Sequence, residues 1–352
     1  MSRFFSEKHS ALVPYTPGEQ PRERKYIKLN TNESPFPPSP CAIAAAAAAA
    51  EHLQLYPDPT MAVLSAKMAE RYGVSPEEII LTNGSDEVLN FAFLAFCDEA
   101  HPAAFPDITY GFYRVFAELY HIPYVTIPLA EDFSVKVEDY CGIGKTIFIA
   151  NPNAPTGLAL SRDEIEQIVK SNPDNVVVVD EAYVDFGGES ALPLIKKYDN
   201  LLVTGTFSKS RSMAGARLGF GFAAPSLIAD LHTLRNSTNP YNVNAMTMAA
   251  GIATLEDDAY TQRNCQTVCE NRDFVTEGLR ALGFVVADSK ANFVFARHPE
   301  RSGEEIYRAL REKGILVRHF SAPRIADYNR ITVGTRAQMQ ALLTAAREIL
   351  ED

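Results

Sequence analysis

Two short apolar runs, each followed by polar residues, constrain this sequence more than any other feature. Residues 176–179 lead into Asp180, and the run 201–206 is followed three residues later by Lys209. Short, continuous runs rich in β-branched residues predict strands that are buried on both faces, as in a parallel sheet. Ligands of such sheets bind beyond the carboxyl ends of the strands. The two runs therefore predict a site where an acid and a lysine lie at one edge of a sheet.

The remainder of the chain alternates strand-like and helical patterns. Capping boxes at Ser75 and Ser161 mark helix starts, and further strand patterns lie at 79–82 and 146–150. This alternation predicts an α/β fold, with a mostly parallel sheet flanked by helices. We expect an N-terminal arm over residues 1–33, a large domain over 34–244 and a smaller α+β C-terminal domain over 245–352, which opens with one long helical stretch to about 282.

The composition excludes several classes of function. A formal net charge of −11 without a basic stripe argues against nucleic acid as a partner. The N-terminus is too polar for a signal peptide, and no run reaches the ~18 apolar residues of a membrane span, so we expect no membrane partner and a cytoplasmic location. The five cysteines do not suggest a disulfide framework. Cys265 and Cys269 lack a second ligand pair, so we expect no metal site.

A second candidate site element follows the strand pattern that ends before Gly84. The glycine turn leads into Ser85, Asp86 and Glu87, which begin a helix. Free backbone N–H groups and the positive end of the helix dipole converge at such a point, which is typical of a phosphate cup. Arg217 offers a fixed positive charge that also suits a phosphate.

Together these residues match the needs of one cofactor. Pyridoxal phosphate is an aldehyde that a lysine holds as a Schiff base, with an acid at its ring nitrogen and a cup for its phosphate. Lys209 would be that lysine, and Asp180 would keep the ring nitrogen protonated. Tyr183 is placed to bind the ring hydroxyl, and Ser208 would join the phosphate cup.

A series of short motifs extends this pattern over essentially the whole chain. In order they are LVPYTPG at 12–18, LNTNESPFPPSP at 29–40, YPDP at 56–59, NGSDE at 83–87, ITYGFY at 108–113, NPNAPTG at 151–157, VVDEAYVDF at 178–186, FSKSRSMAGARLGF at 207–220 and RITVGTR at 330–336. In this order the motifs resemble the pyridoxal-phosphate aminotransferases of the aspartate-aminotransferase fold, and among them the histidinol-phosphate aminotransferases. The resemblance implies the fold of pyridoxal-phosphate-dependent transferases.

The resemblance also implies individual roles. Lys209 resembles the lysine that binds the cofactor and then moves a proton as general base. Tyr110 resembles the aromatic residue that stacks on the pyridine ring. Tyr56 resembles a residue that reaches the cofactor phosphate of a neighbouring subunit, which implies a homodimer with shared sites. Arg330 resembles the arginine that clamps the substrate carboxylate.

The substrate is less strongly determined than the cofactor. Tyr15 and Arg318 resemble contacts to a substrate phosphate, and Asn32 lies in an arm that would fold over the substrate. These matches imply amino transfer from L-histidinol phosphate to 2-oxoglutarate, in histidine biosynthesis. An aminotransferase of aromatic amino acids and a decarboxylase of threonine phosphate stay open, because both would use the same cofactor residues. A cofactor-sensing regulator would need an additional DNA-binding segment of ~60 residues, for which the chain has no room.

One position departs from the motif pattern. Many relatives carry asparagine directly before Pro-Thr-Gly, where it bonds the ring hydroxyl, and this chain carries Ala154 there. Asn153 precedes it and is a candidate substitute, although the backbone would have to present it differently. We therefore expect Tyr183 to be the main contact to the ring hydroxyl.

Overall fold

A computed structural model describes residues 2–21 and 23–351 of the chain. The helices are α1 Pro40–Ala49, α2 Ala62–Tyr72, α3 Ser85–Phe96, α4 Phe112–Leu119, α5 Arg162–Ser171, α6 Pro225–Thr238, α7 Ala245–Glu256, α8 Asp258–Ala281, α9 Gly303–Glu312 and α10 Arg336–Glu351. The strands are β1 Ile27–Lys28, β2 Ile79–Thr82, β3 Ala103–Pro106, β4 Tyr124–Ile127, β5 Thr146–Ala150, β6 Val177–Asp180, β7 Leu201–Thr206, β8 Gly219–Ala223, β9 Val285–Val286, β10 Phe293–Arg297, β11 Ile315–Leu316, β12 Arg318–His319 and β13 Asn329–Thr332. Short 3₁₀ turns lie at Glu7–His9, Ala50–His52, Pro76–Glu78, Val137–Tyr140, Val184–Phe186, Leu192–Lys196, Ala214–Ala216 and Pro323–Ile325.

A seven-stranded sheet forms the centre of the molecule. Its strand order is β2-β8-β7-β6-β5-β3-β4, and β8 is antiparallel to both of its neighbours whereas the other pairs are parallel. The two runs that begin the sequence analysis are β6 and β7, which pair directly so that Asp180 lies opposite Thr204. The predicted α/β fold with a mostly parallel sheet flanked by helices is confirmed.

Helices cover both faces of this sheet, so all of its strands are buried except the edge strand β4, which is partly exposed. On one face, α3, α4 and α6 contribute residues such as Phe93 and Ile228 to an apolar cluster with the strands. The Phe93 ring stacks on Phe148 of β5 at 4.0 Å between centroids. On the other face, α2 and α5 pack residues such as Met68 and Ile168. Burial on both faces explains why the strands read as continuous apolar runs.

A smaller unit has its own sheet and core. The strands β12-β13-β10-β9 are antiparallel, and α8, α9 and α10 contribute to the cluster that covers them. Part of the predicted arm belongs to this unit, because β1 pairs with β11 and Leu29 lies in the same core.

The long helical stretch predicted over 245–282 is two helices with a break at Asp257. The first, α7, packs on α1 and α2, and its Leu255 lies in the core of the large sheet. The second, α8, places Cys265 and Val275 in the core of the smaller unit. The division into three parts stays a prediction, and this packing favours a boundary at Asp257 rather than at residue 245.

Two findings apply to the described part of the chain as a whole. No helix there has the length and apolar character needed to cross a membrane. The same residues include no cluster of three or more histidine, cysteine or acidic side chains that could bind a metal ion.

Candidate active site

The carboxyl ends of β2, β3, β5, β6 and β7 meet at one edge of the main sheet, and two adjoining cavities lie there. The first has a volume of about 180 Å³. It is lined by Ser85, Asp86, Tyr110, Ala154, Asp180, Tyr183, Ser208, Lys209 and Arg217, among others. The second has a volume of about 340 Å³ and is lined by Tyr15, Asn32, Arg318 and Arg330, among others. Thr31, Tyr110, Ala154, Tyr183 and Lys209 line both, so the cavities share a wall.

The N-terminus of α3 and Arg217 form a pocket for an anion. Gly84 has φ +79° and caps the helix, and a Cβ there would collide with the Arg217 guanidinium. Arg217 itself has φ 57°, a left-handed conformation that is uncommon for a residue with a side chain. Its Nη1 donates to Ser208 at 3.4 Å, and its Nη2 lies 3.3 Å from an Asp86 carboxylate oxygen. The guanidinium is therefore held beside the free N–H groups of the helix.

Asp180 is a buried acid at the end of β6. Tyr113 donates to its Oδ2 at 3.1 Å, and Thr204 and the Ala182 N–H donate to its Oδ1 at 3.3 Å each. Burial raises the pKa of Asp180 to about 6, and the hydrogen bond from Tyr113 opposes this effect. No ion pair to this carboxylate is found among the described residues. An acid of this kind is suited to a ligand that brings a positive charge.

Lys209 and two tyrosines line the wall between the cavities. The Lys209 Nζ lies 5.7 Å from the centre of the Tyr183 ring and donates weakly to the Thr31 carbonyl at 3.5 Å. Tyr110 donates its hydroxyl hydrogen to Asp86 at 2.7 Å. Burial raises the pKa of Tyr110 well above its ordinary value, so the hydroxyl stays protonated.

The second cavity contains two arginines. Arg330 on β13 is half-buried, and its Nε is a buried atom with no hydrogen-bond partner among the described residues, although its Nη2 donates to the Asn30 carbonyl at 3.1 Å. Burial lowers the pKa of Arg330 from its ordinary value. Arg318 on β12 donates to the Thr16 carbonyl at 3.5 Å, and Tyr15 packs on Phe112. A guanidinium whose buried Nε–H is unpaired indicates a site for an anionic group.

Three residues predicted for the site do not face these cavities. Tyr56 is 82% exposed and stacks on Tyr241, away from the cavities of its own chain. The Glu87 carboxylate accepts from the Asn83 N–H and the Asn242 amide at 2.6 Å each, so it stabilises the turn before α3.

Asn153 is the third of these residues. Its amide accepts from Thr109 at 2.8 Å and donates to the Ile108 carbonyl at 3.0 Å and to Thr156 at 3.2 Å. Both N–H hydrogens are therefore used inside the protein. Ala154, and not Asn153, lines the cavities. The observed backbone presents the methyl group to the site and turns the amide away.

Some residues of the site were not predicted. Tyr113 is fully buried and donates to Asp180, and Thr31 contacts Lys209 through its carbonyl. The aromatic run at 110–113 was an available signal, because Tyr113 in the first turn of α4 meets the Tyr110 ring edge-on at 5.7 Å between centroids. A backbone carbonyl such as that of Thr31 leaves no signal in side-chain patterns.

The fold and the site geometry define the class of protein, and comparison with known proteins agrees. The family model described as aminotransferase class I and II matches residues 24–345. The chain belongs to this family.

Particular relatives are similar over almost the whole chain. Histidinol-phosphate aminotransferase 2 of Dechloromonas aromatica is 51% identical over 355 residues, which cover 99% of each chain. A putative histidinol-phosphate aminotransferase from Erwinia carotovora atroseptica is a similar solved structure, with a TM-score of 0.85, 27% identity and coverage of 93% of this chain and 96% of that one. The histidinol-phosphate aminotransferase of Sinorhizobium meliloti, solved in complex with pyridoxal-5'-phosphate, has a TM-score of 0.85, 24% identity and coverage of 93% and 92%.

Proposed function

We propose that the protein is a pyridoxal-phosphate-dependent aminotransferase that moves the amino group of L-histidinol phosphate to 2-oxoglutarate. The observation that carries this proposal is the pair of arginines, Arg318 and Arg330, beside a cavity that contains Lys209. The names of relatives at 45–51% identity point to the same substrate. The products would be imidazole acetol phosphate and glutamate.

The residues of the first cavity suit pyridoxal phosphate. Burial disfavours the charged form of Asp180, and a protonated ring nitrogen would supply a positive charge that stabilises it. Ser85, Ser208 and Arg217 would hold the phosphate, together with the Asp86 N–H at the start of α3. The Glu87 N–H is already bound to the Gly84 carbonyl, so Glu87 would stabilise the turn rather than contact the phosphate.

When bound, pyridoxal phosphate supplies a carbonyl carbon that takes up an amino group and a ring that accepts the electron pair of a broken bond. Lys209 would hold the cofactor and then use its Nζ to move a proton to and from the substrate Cα. Tyr110 would stack on the ring, and Tyr183 would donate to the ring oxygen. Asn153 would act only by positioning the loop that carries Ala154.

The second cavity would bind the substrate. Arg330 would bind the carboxylate of glutamate or 2-oxoglutarate, because its buried Nε has no partner among the described residues. Arg318 and Tyr15 would bind the phosphate of histidinol phosphate, and Asn32 lies at the same cavity. A phosphate and a carboxylate would thus be recognised by guanidinium groups on neighbouring strands, since β12 pairs with β13.

We also infer a homodimer and a cytoplasmic location. Tyr56 lies within an exposed apolar surface that a second copy would cover, and it would contact the partner's cofactor phosphate. The five cysteines are all free, as is usual in a reducing compartment.

The substrate is tested by replacing Arg318 with Gln. We expect the KM for histidinol phosphate to rise about 10- to 100-fold, because hydrogen bonds to a charged group contribute roughly 1.5–3 kcal/mol. The KM for phenylalanine, which has no phosphate, should change little and is the internal control. A protein that turned over phenylalanine well and histidinol phosphate not at all would favour the aromatic aminotransferase and contradict the proposal.

The cofactor is tested separately. The purified protein should absorb in the visible region after addition of pyridoxal phosphate, and borohydride reduction should attach the cofactor to the peptide that contains Lys209. A folded sample that takes up no cofactor would contradict this part of the proposal.

A further inference from the structure

The hydroxyl group of Tyr183 is bound by the N-terminal arm. Asn32 Nδ2 donates to the Tyr183 oxygen at 3.0 Å. Asn32 is 1% exposed and has φ 55°, a left-handed conformation that asparagine adopts more readily than most residues. Its carboxamide is thereby held between Tyr183 and Thr332.

Thr332 on β13 determines which way this carboxamide faces. Its Oγ1 accepts from the Asn32 backbone N–H at 2.9 Å and donates to Asn32 Oδ1 at 3.1 Å. A backbone N–H only donates, so the hydroxyl hydrogen of Thr332 is left for Oδ1. The oxygen end of the carboxamide therefore faces Thr332 and the NH₂ end faces Tyr183.

The direction of these bonds determines what Tyr183 can do. Its oxygen accepts a hydrogen from Asn32, so its own hydrogen is free to point into the first cavity, which Tyr183 lines. Two further contacts from the smaller unit fix the group. Asn292 donates to the Asn32 carbonyl at 3.0 Å, and the Phe293 ring meets the Tyr183 ring edge-on at 5.1 Å.

Ala154 cannot replace Tyr183 as a hydrogen-bond donor in the first cavity. It lines the same cavity, and its methyl group neither donates nor accepts a hydrogen bond. Asn153 has both N–H hydrogens committed elsewhere. Of the three residues considered for the ring hydroxyl, only Tyr183 has a hydrogen to donate.

We propose that Asn32 and Thr332 are positioning residues, which keep the Tyr183 hydroxyl pointed into the cavity as the donor to the cofactor's ring oxygen. The inference rests on the proposed function, because it requires pyridoxal phosphate in the first cavity. It adds to that function a residue, Thr332, that contacts neither cofactor nor substrate. Arg330 lies two residues earlier on β13, so one strand carries both the proposed carboxylate site and the support for Tyr183.

The test is a spectroscopic pH titration of the protein loaded with pyridoxal phosphate. A hydrogen bond donated to the ring oxygen stabilises its anionic form, so loss of that bond raises the pKa of the bound chromophore. In Thr332→Val the visible absorbance change should move up by roughly 0.5 to 1 in pH. Thr332→Ser retains the hydroxyl and should titrate close to the unmodified protein.

Two further variants complete the experiment. Tyr183→Phe should shift the titration at least as far as Thr332→Val, and the double variant should go no further than Tyr183→Phe alone, because both act through one bond. Thr344→Val, which removes an exposed hydroxyl from α10, is the matched control and should leave the titration unchanged. If Thr332→Val does not fold, Asn32→Gly carries the same test, since glycine tolerates the left-handed backbone.

The outcomes separate this inference from the proposed function. A loaded protein whose Thr332→Val variant titrates like the unmodified protein, while Tyr183→Phe shifts, would overturn the role of Thr332 alone. Additive shifts in the double variant would also overturn it. A protein that binds no pyridoxal phosphate would overturn the proposed function and this inference together.

Discussion

Asp180 and Glu181 are consecutive acids, and both are buried. Burial raises the pKa of Asp180 to about 6 and that of Glu181 to about 8. Asp180 faces the first cavity, whereas Glu181 lies against Ser190, whose hydroxyl donates to it at 2.6 Å, and the Ala191 N–H, also at 2.6 Å. Asp180 can therefore gain a positive charge from a ligand of the first cavity, which Glu181 does not line. Glu181 should therefore stay protonated near neutral pH and act as a structural group.

Glu181→Gln should stabilise the protein increasingly as the pH rises. The folded-state pKa is raised from 4.5 to about 8, so between these values the unfolded carboxyl ionises while the folded one stays protonated. The folded state with Glu181 thus loses stability across this window, and glutamine, which stays neutral, does not. Thermal unfolding should show equal melting temperatures below pH 4.5 and a higher one for the variant near pH 8. A variant that is least stable relative to the parent at high pH would contradict this expectation.

Asp180→Asn should have opposite effects on stability and on catalysis. Without cofactor, the folded pKa of about 6 against 3.8 unfolded means that Asp180 costs stability above this window, so the variant should melt at a higher temperature at neutral pH. With cofactor, the partner of the ring nitrogen is lost. Removing one member of a buried ion pair costs about 3–5 kcal/mol, so aminotransferase activity should fall by about 100-fold or more. Melting curves without cofactor and steady-state rates with it check the two parts.

At the scale of elements, the proposed phosphate cup depends on how closely the turn before α3 approaches the start of β8. Gly219 begins β8, and a Cβ at that position would collide with the Gly84 carbonyl carbon and the Ser85 nitrogen. The N-terminus of α3 is therefore packed directly on the backbone of β8. No side chain other than hydrogen fits at this contact.

Gly219→Ala should weaken cofactor binding more than it weakens the fold. The added methyl group must displace the start of α3, and overpacking of this kind costs about 1–3 kcal/mol. We expect the Kd for pyridoxal phosphate to rise about 10-fold or more, measured by absorbance or fluorescence titration. Gly215→Ala is the matched control, because a Cβ there meets no atom within 4 Å. Equal effects of the two substitutions would contradict the packing argument.

Elements whose state follows from local pattern were predictable, and those set by tertiary packing were not. The apolar runs of β2, β5 and β7 predicted strands with the observed bounds, because burial on both faces leaves a direct trace in the sequence. β3 was not predicted: its sequence AAFP has no β-branched residue, and its extended state comes from pairing with β4 and β5. The break at Asp257 has no glycine or proline to mark it and reflects the packing of α7 and α8 on different cores.

Some features of the site were likewise predictable from the sequence, and others were not. Asp180 and Lys209 follow the two apolar runs that predict neighbouring strands, so the pairing of β6 with β7 was enough to bring them together. The direction in which Asn153 points was not predictable, because it depends on the turn that connects it to Ala154. Likewise, the role inferred for Thr332 depends on a residue 300 positions away in the chain, Asn32.

At the scale of the whole molecule, several large hydrophobic side chains are exposed in one segment of the chain. Large hydrophobic side chains are exposed at Ile43 (52%), Leu53 (55%), Leu55 (66%), Tyr56 (82%) and Val63 (62%). They lie in or between α1 and α2, and Tyr241 joins them by stacking on Tyr56. Exposed apolar side chains grouped in this way are typical of an interface with another protein. The homodimer proposed above would bury it and bring Tyr56 to the partner's site.

A mixing experiment tests whether the active sites are shared. Lys209→Ala and Tyr56→Phe each damage a different part of the site, and in the proposed dimer the two parts come from different chains. Each mixed dimer would then contain one site with both substitutions and one site with neither. Random exchange of equal amounts gives mixed dimers in about half of the population, so about a quarter of the native activity should return.

The activity of the mixture distinguishes shared sites from sites built by one chain. If Tyr56 acts within its own chain, every site in the mixture carries one substitution, and the activity should equal the mean of the two separate variants. Exchange is induced by dilution in mild denaturant followed by reassembly, with mixed dimers counted by tagging one variant. A mixture that contains mixed dimers and shows no gain over that mean would exclude the shared site. Recovery of about a quarter requires Tyr56 and Lys209 of different chains to meet at one cofactor, because no rearrangement within a single chain can create an unsubstituted site.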